Sequence, residues 1–396
     1  MNRNLFSSTI GAGSPRAVAP ADTKNAAGGT AYKRTARDAL AQFAVTGCFG
    51  DTFYATAETQ LDDVLKLVTD PSVDSEFIAK VALYARKANM KDMPALLCAV
   101  LAVRGSADAK DPATGLFRAI APSVLDNLKM VANFVKILRS GVVQKAVVSG
   151  KSTSLPRPAR KFVASWLTNR DPDRLLNDST GIEPGLGDII RIVHPKPKTK
   201  SQAAVFAYFM GKLGIETKDG PSDPTSPNFV DIPKSIRDFE AFKSAKPAER
   251  LALIGSINFR RLDALGLKDE EWAEIAKSAS WQTARMNLAT FARHNVFKGA
   301  NNPITAALAA KLRDPNEVKR SRAMPFQLYV AHRTTAENTD VPQALKTALQ
   351  DAFEVSVANA PKMNGSTMIA VDISGSMHSP ITGRQGNKVA SKVMCT

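Results

Sequence analysis

Acidic residues are missing from the middle of this chain. Residues 127–170 contain no Asp or Glu, although nine Lys and Arg fall among them. These cations are Lys129, Lys136, Arg139, Lys145, Lys151, Arg157, Arg160, Lys161 and Arg170. Because the whole 396-residue chain also has a net charge of +16, we expect a surface that attracts an acidic partner, and nucleic acid is the commonest one. The alternative is that the basic excess only keeps the protein soluble.

Cysteine and histidine are also scarce, and long apolar runs are absent. Cys48, Cys98 and Cys395 are odd in number and, like the four His, widely scattered. This spacing favours neither a disulfide framework nor a zinc site. The longest apolar run, 93–103, is too short to cross a bilayer, and the N-terminus lacks the apolar core of a signal peptide. We therefore expect a reduced, cytoplasmic protein.

The sequence lacks the patterns of common catalytic sites as well. It contains no nucleophile elbow, no phosphate-binding glycine loop and no pair of carboxylates in an apolar setting. We therefore expect a protein without enzymatic activity.

Short amphipathic helices are the dominant pattern of the chain. Residues 1–30 are rich in Gly, Ala, Ser and Pro, without periodicity, which predicts a flexible tail. From about residue 31 to residue 360, helical periodicity recurs between proline breaks such as Pro122, Asp171-Pro172 and Asp314-Pro315, and almost no strand pattern occurs. This pattern favours a mostly α, HEAT-like solenoid, with an irregular helical domain as the alternative. Residues 214–233 are predicted to form a long surface loop.

Helical phase sorts the basic stretch into faces. Apolar residues recur at spacings of three and four and predict a buried stripe made of Leu128, Val131, Val135 and Leu138. Lys129, Lys136 and Arg139 fall off this stripe and should point to solvent. The next helix should start at Pro158, with Arg157, Arg160 and Lys161 in its opening turn. Since the helix dipole disfavours cations there, an anion is the expected ligand, unless the cations lie over apolar neighbours.

A basic corner follows this region of the chain. The helix 186–193 should end at His194, because a residue before proline disfavours helical geometry, and Arg191 and Lys196 lie close to it in sequence. A lone His is more often a filler than a ligand, so His194 is included only as a neighbour of these cations. We call the predicted nucleic-acid-contacting set the basic face, which comprises Lys129, Lys136, Arg139, Lys151, Arg157, Arg160, Lys161, Arg191, His194 and Lys196.

Four segments together resemble one family. They are GCFGDTFYATAETQLDDVLKLV (47–68), GDIIRIVHPKPKTK (187–200), SWQTARMNLATFARHNVF (280–297) and RSRAMPFQLYVAH (320–332). In this order they resemble the Ro ribonucleoproteins of bacterial or phage type, whose RNA-binding module is called TROVE. The resemblance implies a closed ring of HEAT-like helical pairs over residues 31–360 with a positively charged hole, followed by a von Willebrand factor A domain.

The resemblance also implies a function. Proteins of this family bind small non-coding Y RNAs on the outer surface and single-stranded 3′ ends of misfolded RNA in the hole, as chaperones in RNA quality control. In bacteria, an exoribonuclease, polynucleotide phosphorylase, is a partner. The family's RNA contacts match Arg157, Arg160, Lys161 and His194, whereas Lys129, Lys136 and Arg139 rest on helical phase alone. We expect a monomer.

The C-terminal segment carries a candidate metal motif. Residues 367–373 have a buried-strand pattern, and Asp372, Ser374 and Ser376 follow the spacing DxSxS. In von Willebrand A domains this motif helps to bind Mg²⁺, which prefers oxygen ligands. Only 20 residues follow Ser376, so we expect a truncated A domain, residues 361–396, with an incomplete site that holds Mg²⁺ weakly at most. The alternative function is a helical-repeat scaffold that binds a protein partner through a metal-dependent adhesion-type domain.

Overall fold

The structure, a computed structural model, describes residues 21–24, 28–47, 56–150, 152–211, 231–299 and 301–360. Within these ranges the chain is almost entirely helical, which confirms the predicted mostly α class. The only strands among them are β1 (Thr23–Lys24) and β2 (Thr30–Ala31), which pair antiparallel with Thr23 opposite Ala31. Three residues of this short ladder, Thr23, Lys24 and Thr30, fall within residues 1–30, for which composition predicts a flexible tail. The predicted strand at 367–373 and most of the predicted loop at 214–233 lie outside the described residues.

Twenty α-helices follow in the described part of the chain. The first ten are α1 (Ala36–Thr46), α2 (Ala57–Thr69), α3 (Ser75–Lys87), α4 (Asp92–Ala107), α5 (Ala113–Val124), α6 (Leu128–Ser140), α7 (Val142–Val148), α8 (Arg157–Thr168), α9 (Pro172–Asp178) and α10 (Leu186–Val193). The others are α11 (Lys200–Phe209), α12 (Lys234–Ser244), α13 (Pro247–Leu253), α14 (Phe259–Leu262), α15 (Asp269–Ser278), α16 (Trp281–Arg293), α17 (Pro303–Arg313), α18 (Pro315–Ser321), α19 (Pro325–Ala336) and α20 (Gln343–Ser356).

Most of the predicted proline breaks are helix starts. Asp171 and Asp314 cap α9 and α18: their carboxylates accept backbone N–H bonds of 3.0 and 2.8 Å, and the following proline is the first helical residue. The break predicted at Pro122 is wrong, because α5 continues through it to Val124. A proline this close to the end of a helix removes a single hydrogen bond of the last turn, which the helix tolerates.

The chain divides into two compact units, and the first comprises Met1–Arg170 and Gly181–Pro197. Helix α4 forms its centre, because every residue from 93 to 103 is buried and α3, α5 and α6 pack against it. The apolar run at these positions is therefore the core of the first unit. Beside it, the Phe117 ring stacks on Phe134 and meets Phe162 edge-on, each at 5.7 Å between centroids. None of the described helices is both long and apolar enough to span a membrane.

The second unit comprises Asp171–Thr180 and Lys198–Thr396. Helix α20 packs against α17 and α19, and its apolar side chains join a core built around Phe242, Trp272, Trp281 and Phe291. The buried Trp281 indole donates a 3.0 Å hydrogen bond from Nε1 to the Leu312 carbonyl oxygen, so this polar atom is satisfied in the core. Each unit thus has a hydrophobic core of its own.

Candidate nucleic-acid interface

Helix α6 presents the faces that its sequence predicts. Leu128, Val131, Val135 and Leu138 are all fully buried, which confirms the apolar stripe. Lys129, Lys136 and Arg139 are exposed on the other side. The helix begins where the Asn127 side chain accepts a 3.0 Å bond from the Met130 N–H. Helical phase therefore identified correctly which cations of α6 face solvent.

Helix α8 has an unusual N-terminus. It begins at Arg157, one residue before the predicted Pro158, with no side-chain cap and no acidic residue in its first turn. Arg157, Arg160 and Lys161 are exposed, and none has a carboxylate within ion-pair distance among the described residues. Further along, Trp166 is buried. Free backbone N–H groups and three cations therefore meet at one exposed helix end, an arrangement that suits an anion.

Helix α10 ends as predicted. Its last residue is Val193, and His194 adopts the left-handed conformation (φ 49°, ψ 59°) while its backbone N–H donates a 2.9 Å bond to the Ile190 carbonyl. This geometry turns the chain before the buried Pro195, and the imidazole of His194 is left exposed, like Lys196. The corner therefore presents a ring and an ammonium group to solvent.

Packing brings these three elements together in the first unit. Helix α10 packs against both α6 and α8. Every described residue of the basic face belongs to this unit, and Lys151 lies outside the described residues. Sequence positions 129–139, 157–161 and 191–196 thus lie on neighbouring helices or directly after one of them, an arrangement that spacing along the chain does not reveal.

A concavity of about 380 Å³ lies beside α6 and α10. Three cations and two carboxylates line it, together with Pro184 and Ile192. The cations are Lys136, Arg139 and Arg191, and the carboxylates belong to Glu183 and Asp188. Lys136 Nζ lies 2.7 Å from Glu183 Oε2, and Arg191 Nη1 lies 3.1 Å from Asp188 Oδ1. The positive charge of Lys136 is thus compensated by the carboxylate of Glu183, which lies outside the acid-free stretch 127–170. Arg139 has no carboxylate partner in the described part of the chain, so the concavity keeps an excess of positive charge.

The last cation of the acid-free stretch has a structural environment. The Arg170 guanidinium donates to the Asp126 carbonyl oxygen and lies 4.3 Å from the centroid of the Trp166 ring. These contacts fasten the end of α8 to the loop before α6. Arg170 therefore has a structural role, and it is not part of the basic face.

Sequence reasoning missed two further acid-free stretches. Residues 275–313 contain six Lys and Arg without an Asp or Glu, and residues 318–336 contain four. They include α16 and α19 of the second unit, where Met286, Phe326 and Tyr329 are 65%, 56% and 50% exposed. The scan for missing acids that found 127–170 would have found both stretches.

The described residues offer little for metal or nucleophilic chemistry. They contain no group of three or more His, Cys, Asp or Glu side chains placed to hold a metal ion, and Asp372, Ser374 and Ser376 lie outside them. Cys98 is fully buried, and burial raises the pKa of its thiol, which keeps it protonated. No candidate catalytic cluster therefore emerges from this part of the chain.

Another histidine with a polar partner lies in the second unit. His294 Nδ1 lies 2.9 Å from Asp269 Oδ1, and its ring stacks on Trp272 at 5.1 Å. A hydrogen bond from the Asn295 side chain, and a further one from His294, hold the pKa of Asp269 below its usual value. These contacts join the start of α15 to the end of α16, so His294 has a structural role.

Comparisons with known proteins place the chain beside bacterial Ro proteins. No family model matches it. It is 24% identical over 377 positions to the RNA-binding protein RO60 of Deinococcus radiodurans, in a match that covers 89% of this chain and 66% of that relative. The crystal structure of the Deinococcus radiodurans RO (RSR) protein matches with a TM-score of 0.58 and 20% identity, over 83% of this chain and 65% of that one.

The chain thus spans slightly less than two thirds of the length of these proteins. The fold match supports the predicted helical architecture independently of the sequence motifs. Both comparisons agree, and they confirm the resemblance of this chain to the bacterial Ro ribonucleoproteins.

Proposed function

We propose that this chain is an RNA-binding protein without catalytic activity of its own, and that the basic face is its RNA interface. The observation that carries the proposal is the N-terminus of α8, where Arg157, Arg160 and Lys161 are exposed and no acidic residue occurs in the first turn. The Deinococcus relative bears the name RNA-binding protein, which supports RNA as the anion.

The chemistry of the interface suits the backbone of a folded RNA. Guanidinium and ammonium groups on neighbouring helices neutralise phosphates and release counterions. An A-form helix is recognised through its shape, its phosphates and its 2′-hydroxyl groups rather than through its bases. Cations that project from α6, α8 and α10 can contact phosphates of such a helix without reading its sequence.

The finer assignment follows the family resemblance. In our proposal the basic face binds a small non-coding, Y-like RNA, and single-stranded ends of misfolded RNA enter the hole of the ring that the family resemblance implies for residues 31–360. The protein then acts in the cytoplasm as a monomeric RNA chaperone and quality-control scaffold. An exoribonuclease such as polynucleotide phosphorylase carries out any degradation. An A domain that begins at about residue 361 holds Mg²⁺ weakly at most.

The test is a salt series of binding measurements. A labelled hairpin RNA with a single-stranded 3′ tail is titrated, by fluorescence anisotropy, against the wild type and the variant Arg157→Gln, Arg160→Gln, Lys161→Gln. Log K falls with log salt, and each lost phosphate contact makes this slope less steep by about 0.7 to 0.9. The slope of the triple variant should therefore be less steep than that of the wild type by about 2 to 2.7.

A control variant separates local contacts from net charge. Lys66→Gln, Lys80→Gln, Lys110→Gln removes the same charge from exposed positions of the first unit, and Lys66 and Lys80 have acidic partners there. This control should bind almost as the wild type does. Equal losses in both variants, or no loss in the first, would refute the assignment of the basic face.

Two other outcomes would overturn the proposed function as a whole. RNA cleavage by the purified wild type that a point substitution abolishes would contradict the absence of catalysis. Mg²⁺-dependent binding of a protein partner that survives high salt, without RNA binding, would favour the interaction scaffold instead.

A further inference from the structure

The two ends of the acid-free stretch 127–170 are tied to each other. Arg170, its last cation, donates a hydrogen bond from Nη2 to the backbone carbonyl oxygen of Asp126, the last acidic residue before the stretch. The two residues are 44 positions apart in sequence. Because Asp126 precedes the start of α6 and Arg170 follows the end of α8, this bond holds the start of α6 beside the end of α8. We call the Arg170–Asp126 bond the clasp.

Both partners of the clasp are anchored by further contacts. The Arg170 guanidinium lies 4.3 Å from the centroid of the Trp166 ring of α8, an attractive cation–π contact. The Asp126 carboxylate accepts two 2.9 Å bonds from Nη2 of Arg86 on α3 and a 2.8 Å bond from the side chain of Asn127, which caps α6. The Arg86 side chain is only 17% exposed, so its charge needs this carboxylate as a partner. The clasp therefore joins α3, α6 and α8 at one point.

The clasp lies at the opposite end of α8 from the cations at the start of this helix. The helix has 12 residues, and at 1.5 Å per residue it is about 18 Å long. A tilt of about 10° at the clasp would therefore move the first turn by about 3 Å. Charge-assisted bonds to phosphate need about 2.7 to 2.9 Å between the heavy atoms, so such a shift breaks them. Because α8 also packs against α4, α5 and α10, it should shift without the clasp and not unfold.

We propose that Arg170 and Asp126 are positioning residues, which hold the cations at the start of α8 in place relative to those of α6 and do not contact RNA themselves. This inference rests on the proposed function and names residues on which the geometry of its interface depends. One RNA helix presents its phosphates at fixed spacings, so cations on two helices contact it together only if the helices are held in register. The half-buried Arg170 supplies this register, whereas the exposed cations of α8 supply the contacts.

Asp126→Ala gives a test in which charge and position predict opposite signs. The substitution removes a negative charge from the first unit, so charge alone would strengthen binding of the hairpin RNA. It also removes the acceptor of the Arg86 and Asn127 bonds, so the clasp loosens and binding should weaken. We expect a loss of about 4- to 30-fold at about 0.15 M salt, the equivalent of one or two phosphate contacts. Affinity equal to or above that of the wild type would overturn the proposal.

Arg170→Lys tests the clasp from its other side without a change of charge. An ammonium group lacks the planar fork that stacks on Trp166 while it donates to the carbonyl, so the same loss of about 4- to 30-fold is expected. In the background of Arg157→Gln, Arg160→Gln, Lys161→Gln, the substitution should weaken binding by less than about twofold, because the cations through which it acts are gone. An equal loss in both backgrounds would show that Arg170 acts independently of them, and would overturn the proposal.

Arg37→Lys is the matched control. Arg37 of α1 makes the same two kinds of contact, a 2.6 Å bond from Nε to the Ser72 carbonyl oxygen and a cation–π contact of 4.9 Å with Phe77. Its substitution should leave hairpin affinity unchanged, even where it lowers the thermal midpoint as much as Arg170→Lys does. A lower midpoint without a loss of affinity in Arg170→Lys would refute the clasp alone, provided that the α8 triple variant still loses binding. If the wild type binds no hairpin, the proposed function itself fails.

Discussion

Two carboxylates in the concavity beside α6 and α10 should weaken RNA binding. Glu183 and Asp188 hold Lys136 and Arg191 in exposed ion pairs of 2.7 and 3.1 Å. A phosphate that binds either cation must first displace its carboxylate. We therefore predict that Glu183→Gln, Asp188→Asn strengthens binding of the hairpin RNA, although it removes two ion pairs from the fold.

The expected gain follows from counterion release. Each cation released from its carboxylate adds about 0.7 to 0.9 to the salt slope, which at about 0.15 M salt is a gain of about 3.8- to 5.5-fold, so both together give about 15- to 30-fold. Stability should move the other way. Each exposed pair contributes about 0 to 1 kcal/mol, and Asp188 in the first turn of α10 adds a favourable dipole interaction of about 0.3 to 1 kcal/mol.

Anisotropy titrations over about 0.05 to 0.4 M salt measure the binding, and urea unfolding measures the stability. The control Asp63→Asn, Glu76→Gln also frees two exposed lysines, Lys66 and Lys80, and changes the net charge equally, but it lies on α2 and α3. The reasoning fails if the concavity variant gains nothing, or if the control gains as much.

Replacing Arg157, Arg160 and Lys161 by Gln should not destabilise the protein, because it removes about 0.3 to 1 kcal/mol of unfavourable dipole interaction per cation; a clearly lower thermal midpoint would show that these side chains have structural partners. Leu138→Ala should lower the free energy of unfolding in urea by about 2 to 5 kcal/mol, because Leu138 is fully buried, and a loss below about 1 kcal/mol would contradict its place in the core. Hydrogen bonds lower the pKa of Asp269 in the folded state, so its stabilisation is present above the unfolded pKa of about 4 and disappears as the pH falls through the lower folded value. Asp269→Asn should therefore lose less stability in acid than the wild type does, and equal acid dependence would refute this role.

Local features of the sequence predicted well the helices that carry the basic face. The spacing of Leu128 and Leu138 fixes the buried side of α6, and Pro195 fixes the end of α10, because periodicity and proline geometry act within a few residues. Pro122 misled the same reasoning, since its effect depends on how near the helix end lies.

Such local rules did not predict contacts between residues that are far apart in sequence. The pair Lys136–Glu183 joins residues 47 positions apart, and the bond from Arg285 to Gln327 spans 42. Both depend on which helices pack together, which periodicity does not specify. The exposed charge of the basic face could therefore be predicted from sequence, whereas its partial neutralisation by Glu183 and Asp188 could not.

The most direct test of the basic face is a cross-linking map. A tail-less hairpin RNA that contains 4-thiouridine is irradiated in complex with the wild-type protein, and the modified peptides are identified by mass spectrometry. The account predicts cross-links in residues 128–140, 157–168 and 186–196, and their loss when excess unlabelled hairpin competes. Competed cross-links found only outside these segments would contradict it.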